Sequence, residues 1–105
     1  MKPVVFDESA RDEYREAIRY YHHIDPALRT GFRAEFRDLV TVIQSTPLLF
    51  NIRKHGVRRA NLKRFSLYYI AYMLWKGVIV IVAVGHASKR PYYWRRRPKS
   101  YRDSH

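Results

Sequence analysis

The stretch from Arg53 to Arg97 carries side chains that can act on a phosphodiester without a metal, and none of the carboxylates that would hold one. His55, Arg58, Arg59, Lys63, His86, Lys89, Arg90, Tyr92 and Tyr93 all fall within it. Metal-free RNA cleavage needs a group to deprotonate the 2′-hydroxyl, cations facing the crowded phosphate, and a proton for the leaving oxygen. A magnesium-dependent nuclease needs acidic oxygens instead. Structural roles stand beside these. His86 can be a strand-end residue bonded to backbone, and Tyr92-Tyr93-Trp94 can pack on a sheet as readily as stack on bases. His22, His23 and His55 have no metal-ligand spacing and read as surface residues.

Charge sharpens the division. Of 21 Lys/Arg and 9 Asp/Glu, giving a net of +12, seven Lys/Arg and eight Asp/Glu lie in residues 1–38, so that the excess belongs wholly to residues 39–105. There fourteen Lys/Arg face one acid, Asp103. A surface so depleted of carboxylates implies an anionic partner: nucleic acid, ribosome, an acidic protein or an anionic membrane. Arg95-Arg96-Arg97 together with the 53–64 cluster makes an electrostatic footprint. The chain has no cysteine, which excludes a disulfide framework and a thiolate zinc site. Charged residues follow Met1–Phe6 at once, unlike a signal peptide. The most apolar run, Ile70 to Gly85, is too short for a bilayer and has Lys76 in its middle. A soluble cytoplasmic protein of one domain is expected.

The elements that must position these groups follow from periodicity. Lys2–Phe6 is a short β-prone run. Asp7 or Ser9 can cap a helix, Ser9 with Asp12 resembling a capping box. Ala10, Tyr14, Ala17, Ile18 and Tyr21 then recur at helical spacing to about His23. Asp25-Pro26 starts a second helix with the stripe Leu28, Phe32, Phe36, Leu39, Val40 and Ile43, stopped at Thr46-Pro47. A loop over 48–56 leads to a strand over Val57–Lys63. Leu67–Trp75 and Val78–Val84 are stronger strands joined by Lys76-Gly77, a tight hairpin. Both are apolar on both faces, so they belong at the centre of a sheet. One sheet face packs on the helices; the other must be covered by the chain's own end or by a partner. The order β-α-α-β-β-β predicts an α+β fold, a helical hairpin on one face of a small, mainly antiparallel twisted sheet.

That order, carried by these residues, resembles the RelE/ParE superfamily of toxins from type II toxin–antitoxin (plasmid stabilisation) systems. The carriers are Ala10, Glu16-Ala17 and Tyr20-Tyr21 on the first helix, Phe32 and Glu35 on the second, then Thr46-Pro47 and Val57-Arg58-Arg59. Arg64-Phe65, Tyr69-Ile70 and Tyr72 follow, and the series closes with Ala83-Val84-Gly85-His86, Lys89-Arg90-Pro91 and Tyr93-Trp94. The resemblance implies a growth-inhibiting toxin made beside a small antitoxin that wraps and blocks it. One branch cuts messenger RNA on the ribosome; another inhibits DNA gyrase without a nuclease site. Fold likeness does not choose between them. The RNA-cutting branch implies cations from the loop and strand after the second helix, which Lys54 and Arg58 can supply. It also implies an aromatic or histidine near the end, matched by Tyr93 or His86. Its hairpin arginine is replaced here by Tyr68 and Tyr69. Its arginine after the last strand falls near Ala87, with Lys89 or Arg90 as substitutes.

The candidate catalytic residues are therefore His86, Arg58, Lys89, Arg90 and Tyr93. Candidate nucleic-acid contacts are Arg53, Lys54, Arg59, Lys63, Arg64, Tyr92, Arg95, Arg96 and Arg97, and the two basic clusters are expected to converge on one surface. Residues 1–94 form the expected toxin domain and 95–105 a basic C-terminal tail. The leading expectation is a toxin acting by metal-independent, ribosome-associated mRNA cleavage (an mRNA interferase), with the gyrase inhibitor as the alternative. A non-toxic nucleic-acid-binding remnant is a third. The partners implied are a cognate antitoxin and ribosome/mRNA or DNA gyrase, with no metal, no small-molecule cofactor and no membrane.

Overall fold

The apolar centre of the chain is a hairpin whose two-residue turn has Lys76 and Gly77 at positive φ (50° and 79°), the backbone that matches the twist of the flanking strands. In the computed structural model, which describes all of residues 1–105, the elements are β1 (Val4–Phe6), α1 (Glu8–Ile24), α2 (Pro26–Ser45), β2 (Arg58–Asn61), β3 (Tyr68–Trp75), β4 (Val78–His86) and α3 (Arg97–Ser104). The sheet order is β1-β4-β3-β2. β1 runs parallel to β4, and the other pairs are antiparallel. The two doubly apolar strands are the central ones, as their composition required.

Asp25 closes α1 and opens α2, its carboxylate accepting the Ala27 amide at 2.9 Å with Pro26 behind it, and this fixes the helix pair as a tight hairpin. α1 is capped by Asp7, which accepts from the Ser9 amide at 3.0 Å; the Ser9–Asp12 box is not used. The expected strand over Val57–Lys63 is shortened to Arg58–Asn61. Val57 instead ends a 3-10 turn over Lys54–Gly56. Lys63 and Arg64 fold into a turn because the Glu35 carboxylate on α2 accepts their amides (2.5 and 3.2 Å).

One face of the sheet buries Ile70, Tyr72, Ile79, Ile81 and Val84 against Ala10, Ala17, Phe32, Phe36 and Ile43 of the helices. The opposite face buries Val57, Tyr69, Ala71, Met73, Val80, Val82 and Ala83 under Trp94, with Tyr92, Tyr93 and Tyr101 packed beside it. The covering layer demanded by the sequence is thus the chain's own residues 92–101. A β-bulge links the two faces. Tyr72 pairs with Ile81 but Ala71 with Ala83, leaving Val82 as the additional residue, so Val82 and Ala83 both point to the covered face and the alternation resumes one position later.

Candidate functional site

The bulge creates a demand that organises one side of the molecule. β1 ends at Phe6, opposite Ile81, so beyond that point the outer edge of β4 lacks a neighbouring strand. The Val84 amide donates to Glu13 Oε1 at 3.1 Å, and Arg97 Nη1 donates to the Val82 carbonyl at 3.1 Å. Side chains from α1 and α3 thereby replace the missing strand. Arg97 also grips Glu13 with both nitrogens (2.8 and 3.2 Å), and the Tyr93 hydroxyl donates to Glu13 Oε2 at 2.6 Å. About a fifth of each charged side chain is exposed, 17% for Glu13 and 21% for Arg97, whereas the other two ion pairs of the chain lie in open solvent. Burial and the Glu13 carboxylate push the Tyr93 phenol well above its ordinary value of 10.0. Arg97 is raised as well: burial opposes its charge, but the hydrogen-bonded carboxylate outweighs burial.

A second constellation lies across the sheet. The Tyr69 ring rests on Gly85, its direct cross-strand partner; a Cβ there would stand 2.0 Å from the ring. The Tyr69 hydroxyl accepts from Trp94 Nε1 at 3.2 Å, and the Arg59 guanidinium stacks 3.8 Å from the ring centroid. Arg59 Nε donates to Asn61 Oδ1 at 2.9 Å, leaving its Nη groups without a protein partner. Arg53, Arg59, Tyr69, Pro91, Tyr92 and Trp94 line a small cleft, and Lys54 Nζ sits 5.1 Å from the Tyr92 ring centre. None of Arg53, Lys54 and Arg59 forms an ion pair. His55 and Tyr92 adopt positive φ (63° and 57°), a conformation that costs a non-glycine residue on the order of 1–3 kcal/mol and collects at binding sites.

The candidate residues therefore divide among separate places. Arg53, Lys54, Arg59 and Tyr92 converge on the basic cleft. Arg58 does not join them, because neighbouring strand residues face opposite sides. It lies opposite Tyr72 and donates to the Phe50 and Leu48 carbonyls (2.7 and 3.4 Å). His86 ends β4 against Tyr68, ring centres 4.8 Å apart. Its Nδ1 accepts the Ser88 amide at 3.0 Å and sits 2.8 Å from Ser88 Oγ. An amide can only donate, so Nδ1 is the acceptor of this bond. Lys89 lines a shallow depression with His86, Glu13, Glu16, Tyr20 and Tyr68, and Arg90, Arg95 and Arg96 are exposed. Lys63 and Arg64 lie at the β2–β3 turn, where Arg64 covers Gly31 of α2. Tyr93 and Arg97 are held by Glu13. The expected single surface is thus corrected to a basic cleft and a strand-end cluster that adjoins a part-buried latch, with Lys89 Nζ 5.8 Å from the Tyr93 ring centre and Glu13 lining the same depression as His86. Separation follows from register: Tyr72 opposite Arg58 and Tyr68 opposite His86 are four residues apart, roughly 13 Å along β3.

Sequence reasoning missed Glu13, and it named Glu35 as a carrier of the resemblance without giving it a role. Both carry a signal, since Glu13 sits between Ala10 and Ala17 on the buried stripe of α1, and Glu35 beside Phe32 and Phe36 on α2. A carboxylate within an apolar stripe implies a buried partner.

The fold compares with known proteins as follows. Residues 4–91 match the family model described as ParE toxin of type II toxin-antitoxin system, parDE. The chain belongs to the ParE toxin family. A solved structure described as the chromosomal ParDE TA system from P. aeruginosa superposes with a TM-score of 0.69 at 16% identity, covering 82% of this chain and 96% of that one; at this identity the likeness is one of fold. A search of curated proteins found no match. The residues that match the ParE family include the helical hairpin and the hairpin of β3 and β4. The family match ends at Pro91, before Tyr93 and Arg97 of the latch. No helix is long and apolar enough to cross a membrane, and no group of three or more His, Asp or Glu is placed to hold a metal ion.

Proposed function

We propose that this ParE-family toxin arrests growth by binding, as a non-enzymatic inhibitor of DNA gyrase in the cytoplasm, and that a cognate antitoxin neutralises it. One observation carries the reading: three of the groups that RNA cleavage would use are already committed to partners within the chain. Arg58 is committed to the Phe50 carbonyl, the Tyr93 hydroxyl to Glu13, and the His86 lone pair to the Ser88 amide. A general base must reach the proton it removes, and neither His86 nor Tyr93 lines the basic cleft. A binding toxin needs no such convergence. The acidic segments common in antitoxins would suit a half-chain with one carboxylate.

The cleft itself favours a second reading, ribosome-associated mRNA cleavage, because Arg53, Lys54, Arg59 and Tyr92 form a phosphate-compatible set with an aromatic face. One experiment separates the two. The purified chain is added to gyrase with relaxed plasmid, and cells inducing it are read for DNA-damage signalling and for mRNA cuts. Supercoiling is expected to fall and damage signalling to rise while messages stay intact. Cut messages with undiminished supercoiling would transfer the assignment to the nuclease reading. Normal growth at full expression would remove the toxin assignment.

A further inference from the structure

The segment between α2 and the 3-10 turn combines a braced backbone with exposed aliphatic side chains. Its backbone is held from inside: the Tyr72 hydroxyl donates to the Pro47 carbonyl at 2.6 Å, and Arg58 donates to Leu48 and Phe50. Phe50 turns inward, its ring 6.4 Å from that of Tyr72. Ile52 bridges to Arg58, and the Arg53 amide closes on the Val57 carbonyl at 2.6 Å. Yet the side chains that this scaffold displays are apolar and open to water: Leu48 65%, Leu49 64% and Ile52 59% exposed. Arg53 and Lys54 follow directly, both unpaired, and no carboxylate occurs between residues 39 and 102.

Holding a backbone fixed while exposing three aliphatic side chains lowers the ordering cost of recognition and does nothing for an isolated fold. Aliphatic side chains contribute little to a phosphate backbone, and a bilayer would not require a fixed loop. A protein pocket requires both shape and an apolar lining. We propose that the loop Pro47–Lys54 is the surface by which this toxin docks on its protein target, with Leu48, Leu49 and Ile52 entering an apolar pocket rimmed by carboxylates that meet Arg53 and Lys54. The proposal rests on the reading that the toxin acts by binding a protein.

The test compares the full chain with the triple variant Leu48→Ser/Leu49→Ser/Ile52→Ser, and with Ile24→Ser/Leu67→Ser as a control of similar exposure elsewhere. The docking variant is expected to lose growth arrest and to need at least tenfold more protein to inhibit gyrase. Its thermal midpoint should match the parent's, and the antitoxin should still co-purify with it. The control should behave as the parent does. Growth arrest undiminished in the triple variant overturns the proposal, whether or not antitoxin binding is lost. So does loop-dependent flotation of the parent with anionic vesicles, or a loss of arrest equalled by the control. A parent that arrests growth without inhibiting gyrase removes only the gyrase assignment, and the growth readout of the triple variant then decides the loop. A parent that does not arrest growth overturns both.

Discussion

Replacing Glu13 with glutamine keeps the side-chain shape and removes its charge, so it isolates what the carboxylate does for the sheet edge. In the parent, Glu13 accepts from the Val84 amide, the Tyr93 hydroxyl and both Arg97 nitrogens. The amide can keep one or two of these bonds through its oxygen, but its NH2 group then faces the donors of Arg97. Breaking a fully buried pair costs about 3–5 kcal/mol, and an exposed one about 0–1 kcal/mol. With 17% and 21% of the two side chains exposed, the pair loses about 1–3 kcal/mol, between these limits, and a lost hydrogen bond adds about 1 kcal/mol. A total of about 2–4 kcal/mol follows, equivalent to roughly 10–20 °C in Tm for a domain of this size. Two assays read it. Denaturant unfolding gives the magnitude, and limited trypsin digestion gives the place, because a released latch opens the bonds after Arg95 and Arg96, while the bond after Arg97 precedes Pro98 and resists trypsin. A cycle with Arg97→Gln should show the double variant less destabilised than the two single losses added, by about 2 kcal/mol. A Glu13→Gln protein within about 0.5 kcal/mol of the parent, or one with no new cut after Arg95 or Arg96, would refute the reasoning.

Three further expectations follow from named contacts. Gly85→Ala drives a methyl into the Tyr69 ring, so the ring must leave both Arg59 and Trp94; destabilisation of about 2–4 kcal/mol is expected in urea unfolding, with a fluorescence change at Trp94. The phenols of Tyr93, Tyr72, Tyr68 and Tyr21 are raised, with burial the leading cause in each. The folded chain therefore holds their protons more tightly than the unfolded chain does. Their stabilising effect is complete below pH 10 and declines as pH rises above it; phenolate absorbance should show these rings ionising together with unfolding, and all nine tyrosines titrating alike in an intact fold would contradict this. Arg58→Ala frees the Leu48 and Phe50 carbonyls, at about 1.5–3 kcal/mol for a charged hydrogen bond; hydrogen exchange should accelerate over residues 48–53 while α1 stays protected.

The layer order was legible because its signals are local. The stripe from Leu28 to Ile43, the Asp25-Pro26 junction, the Lys76-Gly77 turn and the doubly apolar runs each declare their own neighbourhood, and a doubly apolar run can only be central. Even the need for a cover on the second face could be read. What could not be read was every feature that depends on register. Arg58 and Arg59 are adjacent in sequence, yet one faces the helices and the other the cleft. The bulge at Val82 has no sequence mark among seven consecutive apolar residues, and it decides that Glu13 and Arg97 meet at β4. Of the candidate site, charge alone found Arg53, Lys54 and Arg59, and the aromatic run found Tyr92. Charge also gathered Arg97 into the same set, because an arginine that supports a strand edge and one that awaits an anion look the same in a sequence.

The chain's long-range closure has a consequence for the time at which it becomes dangerous. β1, at residues 4–6, pairs with residues 79–81, and Glu13 has its partners at 84, 93 and 97. During synthesis the helical hairpin can form early, but the sheet waits for β4 and its second face for Trp94. Arg97 must clear the ribosome before the edge of β4 is sealed, and at about 5–20 residues per second the interval from Glu13 to Arg97 lasts several seconds. Throughout that interval the nascent chain is an incomplete sheet with an open edge and an uncovered apolar face. The cell is thus given a delay between starting to translate this toxin and meeting it as a finished molecule, within which a neutralising partner made nearby could be waiting.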